Sequence, residues 1–199
     1  MPSIFQKLIA LLIVFCLSPI IFIVAIAIFL DDGFPIFFIQ KRTSQGKKMF
    51  NMYKFRTMVN NSEEILKNDK ELYKIFIEND HKIPEELETR LLKTASFIRK
   101  TSIDEIPQLF NVLLGHINLV GNRPVQIEEF KLIPKDEQLI LSKAKCGVTG
   151  LWQVSGRSNI KAKDRHDIEV NYVKNRSSLL DIKIIIKTCY VVLRRFGSH

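Results

Sequence analysis

Cysteine, histidine and tryptophan are scarce in this chain of 199 residues, which has three, four and one of them. The cysteines show no CxxC or other close paired spacing, and no two histidines stand at the spacing of metal ligands, which argues against a disulfide framework and a zinc site. The chain also lacks the GxxxxGK[ST] order of a Walker loop, the GxGxxG of a dinucleotide fold, internal repeats and low-complexity tracts. We therefore expect reduced, chemically silent cysteines.

Acidic residues are outnumbered by basic ones, 21 to 30, which gives the chain a formal net charge of +9. Such a charge calls for an anionic partner: a nucleic acid, a nucleotide, a phospholipid surface or a phosphorylated substrate. Basic residues interleaved with aromatic ones are sparse and no nucleic-acid motif occurs, so we expect no nucleic-acid partner. The length suggests one main folded domain with a proper core.

Charge is absent from residues 8–30, an apolar stretch of 23 positions near the N-terminus. This length suffices for a membrane helix, exceeds that of a signal-peptide core, and is followed by no small-residue cleavage site. Basic residues follow at positions 41, 42, 47 and 48, against Lys7 alone before it. By the positive-inside rule, residues 1–34 are predicted to be a membrane-embedded anchor and residues 35–199 a cytoplasmic domain.

Ser18 and Pro19 lie at the middle of this segment, where proline removes a hydrogen bond from a helix and kinks it. Two arrangements satisfy the pattern: a crossing helix bent at its centre, or a helix–break–helix that dips into the membrane and returns to the same face. In both, the carbonyl that loses its partner needs another donor nearby, because lipid provides none. The pattern leaves both arrangements open.

After the anchor, residues 35–40 and 50–58 are predicted strands of a hairpin, with a polar loop through Gly46 between them. Alternation places Lys54 and Arg56 on one face, where they either clamp a phosphate or form a solvated strand face. Two amphipathic helical segments divided by Pro84 are predicted between residues 60 and 100. Residues 179–193 predict a last apolar helix, in the core or in the membrane interface.

Two adjacent carboxylates, Asp104 and Glu105, stand at the predicted start of an apolar helix. Ser102 with Glu105 fits the capping-box pattern, whereas Asp104 as the cap would place Pro107 where a missing N–H costs little; both registers stay open. A helix N-terminus favours an ionised carboxylate and tolerates a bound anion. The pair is either a set of capping acids or, because cations lie on both sides of it in sequence, the carboxylate machinery of a phosphate reaction.

Residues 146–158 hold three of the eight glycines and the only tryptophan. A backbone with so many glycines can approach a ligand closely, nearby hydroxyl groups can donate to phosphate, and Arg157 can pair with phosphate in bidentate fashion. The alternative is a turn-rich connector without a ligand.

Taken in order, these segments resemble one known family over nearly the whole chain. The similar segments are QKR (40–42), KFRTM (54–58), RKTSIDEIPQLFNVL (99–113), VGNRP (120–124) and GVTGLWQVSGR (147–157). They resemble the bacterial sugar transferases known as small monotopic phosphoglycosyl transferases. The chain departs from the usual family pattern at Ser44, Lys145, Asn122 and Cys146, where glycine, arginine, proline and proline are usual, which bears on affinity and geometry before chemistry.

The resemblance implies an enzyme that moves a sugar phosphate from a UDP-sugar to a polyprenol phosphate such as undecaprenyl phosphate and releases UMP. It implies Asp104 as a nucleophile that forms a covalent aspartyl phosphosugar in a ping-pong reaction, and Glu105, with Asp104, as the holder of Mg²⁺. The residues implied in phosphate or substrate binding are Lys54, Arg56, Arg99, Arg123, Gly150, Gln153 and Arg157.

The implied architecture is an α+β fold, mainly helical. It has a re-entrant membrane helix broken at Ser18 and Pro19, a short β-hairpin, and amphipathic interfacial helices around the active site. The expected location is the bacterial inner membrane, with the catalytic domain on its cytoplasmic face, at the first membrane step of exopolysaccharide, O-antigen, capsule or glycoconjugate assembly. The insertion between Met58 and Arg99 is similar to that of members that transfer a hexose such as galactose or glucose. Whether the protein forms a homodimer is not decided by the sequence.

Two other functions fit part of the pattern. A membrane-anchored anion-binding module without activity would explain the charge, and it should scarcely respond to Asp104→Asn. A nucleotide-sugar glycosyl transferase would make a glycosidic bond and release UDP in place of UMP.

Overall fold

The computed structural model describes residues 3–46, 48–79, 83–156 and 162–193. Within these ranges the chain is mostly helical and contains the predicted short antiparallel hairpin. The helices are α1 (Ile4–Asp32), α2 (Ser62–Asn68), α3 (Lys70–Glu78), α4 (Ala95–Lys100), α5 (Gln108–Leu113), α6 (Ile127–Leu132), α7 (Lys135–Leu141), α8 (Leu151–Ser155), α9 (Ala162–Lys174) and α10 (Ser178–Leu193). The strands are β1 (Phe37–Ser44), β2 (Lys48–Phe55), β3 (Asn118–Val120) and β4 (Gly147–Thr149), and single turns of 3₁₀ helix occupy Glu85–Leu87 and Ile103–Glu105.

Helix α1 is 29 residues long and continues through the Ser18-Pro19 pair. Pro19 has no N–H to donate to the carbonyl of Phe15, and the Ser18 hydroxyl donates to that oxygen instead, at 2.7 Å. The replacement donor that the sequence calls for is therefore present. Among the described residues, α1 is the one helix long and apolar enough to cross a membrane by length and composition. Of its most apolar stretch of 18 residues, 11% is buried in the protein.

Both ends of α1 contact the folded remainder of the chain. Near its start, Gln6 Oε1 accepts a hydrogen bond from the N–H of Leu119 at 3.1 Å. Near its end, a carboxylate oxygen of Asp31 accepts from the N–H of Thr94 at 3.0 Å. The helix is thus held at its two ends. Exposed apolar side chains cover the stretch between them, among them Leu11, Leu12, Phe15, Phe22 and Ile23.

Three groups of buried residues form the core. The largest joins the start of α1 to β2, α5, the β3–β4 pair and α10. The second joins the end of α1 to the end of β2 and to α4, and the third lies among α6, α7 and α9. The hairpin therefore belongs to the first two groups, and it connects the two ends of the anchor helix.

The predicted hairpin is confirmed. Strands β1 and β2 pair from Phe37 opposite Phe55 to Ser44 opposite Lys48. Strand β1 begins two residues later than predicted and extends further into the polar segment, up to a turn where Gly46 has φ 77°. Glycine adopts this left-handed conformation without the strain of a side chain, which allows a tight return of the chain.

The first amphipathic segment predicted between residues 60 and 100 forms the two short helices α2 and α3, whereas the segment predicted after Pro84 is an α-helix only at its end, as α4. Between Pro84 and α4 the chain makes one turn of 3₁₀ helix and then runs extended, with Leu91 bridged to Met58. The N–H of Leu92 donates to the carbonyl of Thr57 at 3.1 Å. The backbone groups of this segment thus bond to the chain that leaves β2, where in a helix they would bond to one another. Tertiary pairing therefore overrides the local helix preference.

A parallel pair of three-residue strands, β3 and β4, is not predicted by the sequence pattern. Asn118 lies opposite Gly147 in this pair. A Cβ atom on Gly147 or on Gly150 would overlap backbone atoms of Gly121. These glycines therefore let two backbone segments of the protein approach each other, which is the packing role that the sequence left as an alternative to ligand contact.

Helix α10 lies where residues 179–193 predict the last helix. One face packs into the core through Ile184 and Val191, and its Thr188 hydroxyl lies 2.7 Å from the hydroxyl of Thr149. The other face is apolar and exposed, at Leu179, Ile182, Ile186 and Tyr190. The core contact is thus observed, and a position in the membrane interface stays a prediction.

Candidate active site

The two acids lie in the single turn of 3₁₀ helix, Ile103–Glu105, between α4 and α5. Neither predicted capping register is right. Ser102 has a left-handed backbone with φ 57° and makes no capping side-chain hydrogen bond, and α5 begins only at Gln108, after Pro107. The left-handed residue turns the chain out of α4 before α5 starts, a change of direction that the capping pattern does not reveal.

Lys54, near the end of β2, contacts both acids. Its Nζ lies 2.9 Å from Glu105 Oε1 and 3.7 Å from Asp104 Oδ2. The three side chains are partly covered, with 22% of Lys54, 32% of Glu105 and 17% of Asp104 exposed. A cation that the sequence placed on a strand face is therefore part of the same site as the acidic pair.

A buried amide sets the position of β2 relative to the acids. Asn111 on α5 is fully buried; its Oδ1 accepts from the N–H of Tyr53 at 3.0 Å and its Nδ2 donates to the carbonyl of Asn51 at 2.7 Å. These bonds satisfy backbone groups of β2 beside Lys54. The sequence pattern did not mark Asn111, because a single amide within an apolar helix has no functional signature.

Burial raises the pKa of Asp104 from 3.8 to about 6. The Lys54 ammonium opposes this rise in pKa, the neighbouring Glu105 carboxylate adds to it, and Arg99 opposes it. The expectation that a helix N-terminus holds the acid ionised therefore needs correction, since loss of water outweighs the favourable charges. Asp104 is still ionised at neutral pH, and it is shielded from water, as a carboxylate nucleophile should be.

Two further predicted cations lie on the hairpin side of the site. Arg99, in the last turn of α4, donates from Nε to Thr57 Oγ1 at 3.0 Å and lines the same cleft as the acids. Arg56 also lines the cleft, but it is buried and its guanidinium pairs with the carboxylate of Asp32 and donates to the carbonyl of Gly33 at 2.8 Å. Arg56 thus fastens the end of α1 to the hairpin, and its contact with phosphate stays a prediction.

The opposite wall of the cleft is built on Trp152, the only tryptophan. The guanidinium carbon of Arg123 lies 5.0 Å from the centroid of the indole ring, and that of Arg165 lies 5.7 Å from it. Such contacts hold the planar guanidinium groups in place while leaving their N–H donors available to a ligand. The predicted phosphate contact Arg123 therefore lies in the cleft with a second arginine beside it.

The other residues predicted in the tryptophan loop have different surroundings. Gln153 lines the cleft. Gly150 is buried against the backbone of Gly121, so its close approach is to the protein itself. Arg157 lies outside the described residues. Ligand binding by these three residues stays a prediction.

Helix α9 contributes two residues that the sequence pattern missed. Arg165 reaches Trp152 and pairs with Glu129, and Glu169, one turn later, accepts a hydrogen bond from the backbone N–H of Arg123 at 3.0 Å. Residues four apart share a helix face, so both side chains reach the same wall. An arginine and a glutamate at this spacing are common on helix surfaces, which is why the sequence contains no sign of their role.

The cleft between these walls has a volume of about 1210 Å³, above the usual range for small-molecule sites. Its charged lining includes Lys54, Arg99, Asp104, Glu105, Arg123 and Arg165. Cations around a carboxylate pair suit a ligand with several phosphate groups. The described residues contain no group of three or more metal-ligating His, Cys, Asp or Glu side chains. The fold and site thus define a mostly helical protein with a long apolar N-terminal helix and a cleft lined by cations around an acidic pair.

Comparison with known proteins identifies the family. A family model of bacterial sugar transferases matches residues 1–195, and the chain belongs to this family. It is 44% identical over 84% of its length to the undecaprenyl-phosphate galactose phosphotransferase of Salmonella typhimurium, and it covers 35% of that protein. It is 34% identical over 98% of its length to the exopolysaccharide production protein ExoY of Sinorhizobium fredii, of which it covers 86%.

A further relative is the UDP-galactose-lipid carrier transferase of Erwinia amylovora. The chain is 40% identical to it over 96% of its own length and covers 40% of that protein. The chain thus spans well under half the length of the Salmonella and Erwinia relatives, 35% and 40%. The relatives in sugar-phosphate transfer therefore include proteins much longer than this chain as well as ones of similar size.

Proposed function

We propose that this chain transfers a sugar phosphate from a UDP-sugar to undecaprenyl phosphate and releases UMP, at the first membrane step of exopolysaccharide, O-antigen or related glycan assembly. The observation that carries the proposal is the shielded carboxylate of Asp104 in a cation-lined cleft, 3.7 Å from Lys54 Nζ. The names of the relatives, which include UDP-galactose, undecaprenyl phosphate and exopolysaccharide production, support this class of substrates.

The reaction consists of two displacements at one phosphorus. A carboxylate oxygen of Asp104 attacks the phosphorus that carries the sugar; a bond between that oxygen and phosphorus forms, and the bond to UMP breaks with its electron pair leaving on UMP. A phosphate oxygen of undecaprenyl phosphate then attacks the same phosphorus, and Asp104 departs as a carboxylate. Attacking and departing groups are oxyanions, so neither step needs a proton transfer. Two separate displacements predict ping-pong kinetics.

The cations of the cleft make these displacements possible, because an anionic nucleophile must approach an anionic phosphate. Lys54 lies beside both acids and is placed to neutralise a phosphate as Asp104 approaches it. Arg99 on the same side and Arg123 on the tryptophan side bind the remaining phosphate oxygens, in the bidentate geometry that guanidinium groups favour.

The donor set fits Mg²⁺. This ion binds proteins through one or two carboxylates and completes its coordination with water and substrate phosphates, so the lack of a third acidic ligand among the described residues is no obstacle. Glu105, the more exposed of the two acids, is the main proposed ligand, and Asp104 the second. When bound, Mg²⁺ supplies positive charge to the diphosphate of the donor.

The anchor helix, in this proposal, dips into the membrane and returns to the same face. Polar groups at both of its ends, Gln6 and Asp31, bond to the same folded domain. A crossing helix would place those ends on opposite sides of a hydrocarbon layer about 30 Å thick. The bond from Ser18 to the Phe15 carbonyl provides inside the lipid the donor that Pro19 removes. The cleft then lies on the cytoplasmic face of the bacterial inner membrane.

A hexose such as galactose is the proposed sugar. Relatives named for galactose are 40% and 44% identical to the chain, and one named for N-acetylgalactosamine is 30% identical. A panel of UDP-sugars tests this choice, and turnover of N-acetylated donors alone would overturn it.

The decisive experiment measures UMP release by the whole chain in detergent with Mg²⁺, undecaprenyl phosphate and the panel of UDP-sugars. Asp104→Asn is run beside Asp136→Asn, a matched change at an exposed acid on α7. We expect one donor to release UMP and intact-mass measurement to show a sugar-phosphate adduct in the wild type and the control, and neither in Asp104→Asn. Release of UDP would indicate a glycosyl transferase, and turnover by Asp104→Asn would exclude the proposed nucleophile.

A further inference from the structure

The segment that carries Arg123 lacks a rigid residue at the position before it. Asn122 stands where the resembling sequences usually have proline, so its φ is not locked by a ring. Its backbone carbonyl accepts from the N–H of Gly147 at 2.9 Å, and its side-chain Nδ2 donates to the carbonyl of Leu141 at 3.2 Å. These bonds hold residue 122, but neither of them reaches Arg123.

The backbone of Arg123 is held from another element. Glu169 on α9 is 5% exposed, and its Oε1 accepts the N–H of Arg123 at 3.0 Å. Asparagine, unlike proline, does not lock its own φ with a ring, so Arg123 depends more on the contacts of its own backbone. A hydrogen bond to a charged acceptor is about twice as strong as one to a neutral acceptor. The carboxylate thus holds the segment from which the Arg123 side chain reaches Trp152.

We propose that Glu169 is a positioning residue, whose carboxylate holds the backbone of Arg123 so that the guanidinium group stays on Trp152 and faces the phosphates of the nucleotide donor. This inference rests on the proposed function. Helix α9 then supports the tryptophan wall, the side of the cleft formed by Trp152 and Arg123, through two residues. Arg165 contacts the indole ring directly, and Glu169 acts through Arg123.

The charges around Glu169 explain when this bond is strong. Arg123 and Arg165 favour the ionised carboxylate, whereas Glu129 on α6 disfavours it. The thiol of Cys146 also faces it, with a pKa raised to about 12 by burial, so the thiol stays neutral. Burial raises the pKa of Glu169 to about 7. Above that pH the carboxylate is charged and holds Arg123, and below it the bond has a neutral acceptor.

The test is the affinity for UMP, measured by titration calorimetry on the full chain between pH 6 and pH 8.5. It uses the wild type, Glu169→Gln, Glu169→Asp and the control Glu128→Gln, which removes the same charge from an exposed position on α6. At pH 8 we expect Glu169→Gln to bind UMP about tenfold more weakly, the difference between a charged and a neutral acceptor. Glu169→Asp should recover part of this loss, and the control should match the wild type.

The pH profile separates positioning from folding. Wild-type affinity should fall more steeply than Glu169→Gln affinity as pH drops through 7, because the variant keeps only the titrations of the UMP phosphate and of Asp104, both near pH 6. Parallel profiles, or unchanged affinity in Glu169→Gln, would overturn the inference. If Glu169→Gln fails to fold, the comparison of the wild type with Glu169→Asp decides, and identical affinities and profiles for these two proteins would refute the role. Absence of UMP release by the wild type would instead count against the proposed function.

Discussion

Removal of the Lys54 charge tests how the site controls ionisation of Asp104, the proposed nucleophile. The Nζ atom of Lys54 lies 3.7 Å from Asp104 Oδ2, and both side chains are largely but not fully covered. Two unit charges at such a distance interact by about 1 kcal/mol in water and about 4 kcal/mol in a medium of intermediate dielectric constant, so we take about 2 kcal/mol for Lys54→Met. This equals a rise of about 1.5 pKa units.

The pKa of Asp104, about 6 in the wild type, should therefore rise to about 7.5 in Lys54→Met. The ionised fraction falls about fourfold at pH 7 and about fifteenfold at pH 6, and hardly changes at pH 9. The pH dependence of UMP release measures this change, since in the proposed reaction only ionised Asp104 attacks. A loss of rate that is uniform over all pH values would report lost phosphate binding. The pH at which the rate of UMP release rises, the rising limb of the profile, reports the pKa of Asp104.

Two control variants accompany this measurement. Lys54→Arg keeps the positive charge and should leave the rising limb near pH 6. Lys41→Met removes a charge from an exposed position on β1 and should change nothing. A rising limb that stays near pH 6 in Lys54→Met would refute the conclusion that this lysine controls ionisation of Asp104.

Three other changes test separate parts of the structure. Asp104→Asn should raise the free energy of unfolding at pH 7 by about 1 to 3 kcal/mol, because ionisation of a group whose pKa rises from 3.8 to about 6 on folding costs stability above pH 4. Urea unfolding measures this gain, which should vanish at pH 3.5. Equal stability of variant and wild type at pH 7 would contradict the prediction. Ser18→Ala should lower stability in lipid nanodiscs by about 1 kcal/mol and Ser18→Thr by less, because only the alanine leaves the Phe15 carbonyl without its donor. An unchanged melting temperature in Ser18→Ala would mean that the carbonyl finds another donor. Glu88→Gln should lower the free energy of unfolding, measured in urea, by about 3 kcal/mol, since it leaves the buried Arg90 without its partner carboxylate. A loss as small as that of the exposed control Glu86→Gln would contradict this prediction.

The hairpin was predicted correctly: the alternation of residues 50–58 placed Lys54 on it, although β2 ends at Phe55. The role of Asp104 and Glu105 as the reacting acids stays a prediction. The capping registers were wrong because Ser102 takes a left-handed conformation and α5 begins only at Gln108. The α-helix predicted after Pro84 forms only from Ala95, because residues 90–92 pair with the chain that leaves the hairpin.

The tryptophan wall was only half predicted. Arg123 was found from its motif, but Arg165 and Glu169 come from a helix whose sequence has no functional signature. Arg56 had the right spacing for a phosphate contact, and the structure pairs it with Asp32 at the end of α1. Arg56 follows directly after β2. A guanidinium group at such a place has the same sequence pattern in both roles, and only its partner distinguishes them.

The sequence alone determined the features that neighbouring residues make among themselves. The uncharged stretch of 23 residues, the hairpin, the Ser18 hydroxyl one turn from the Phe15 carbonyl, and the adjacency of Asp104 and Glu105 need no distant contact. Tertiary structure decided which charges meet: Lys54 with acids about fifty positions away, and Glu169 with Arg123. It also decided the pKa of Asp104, because the energy of a charge depends on the water excluded from it and on the distance to other charges, and neither is a property of chain order.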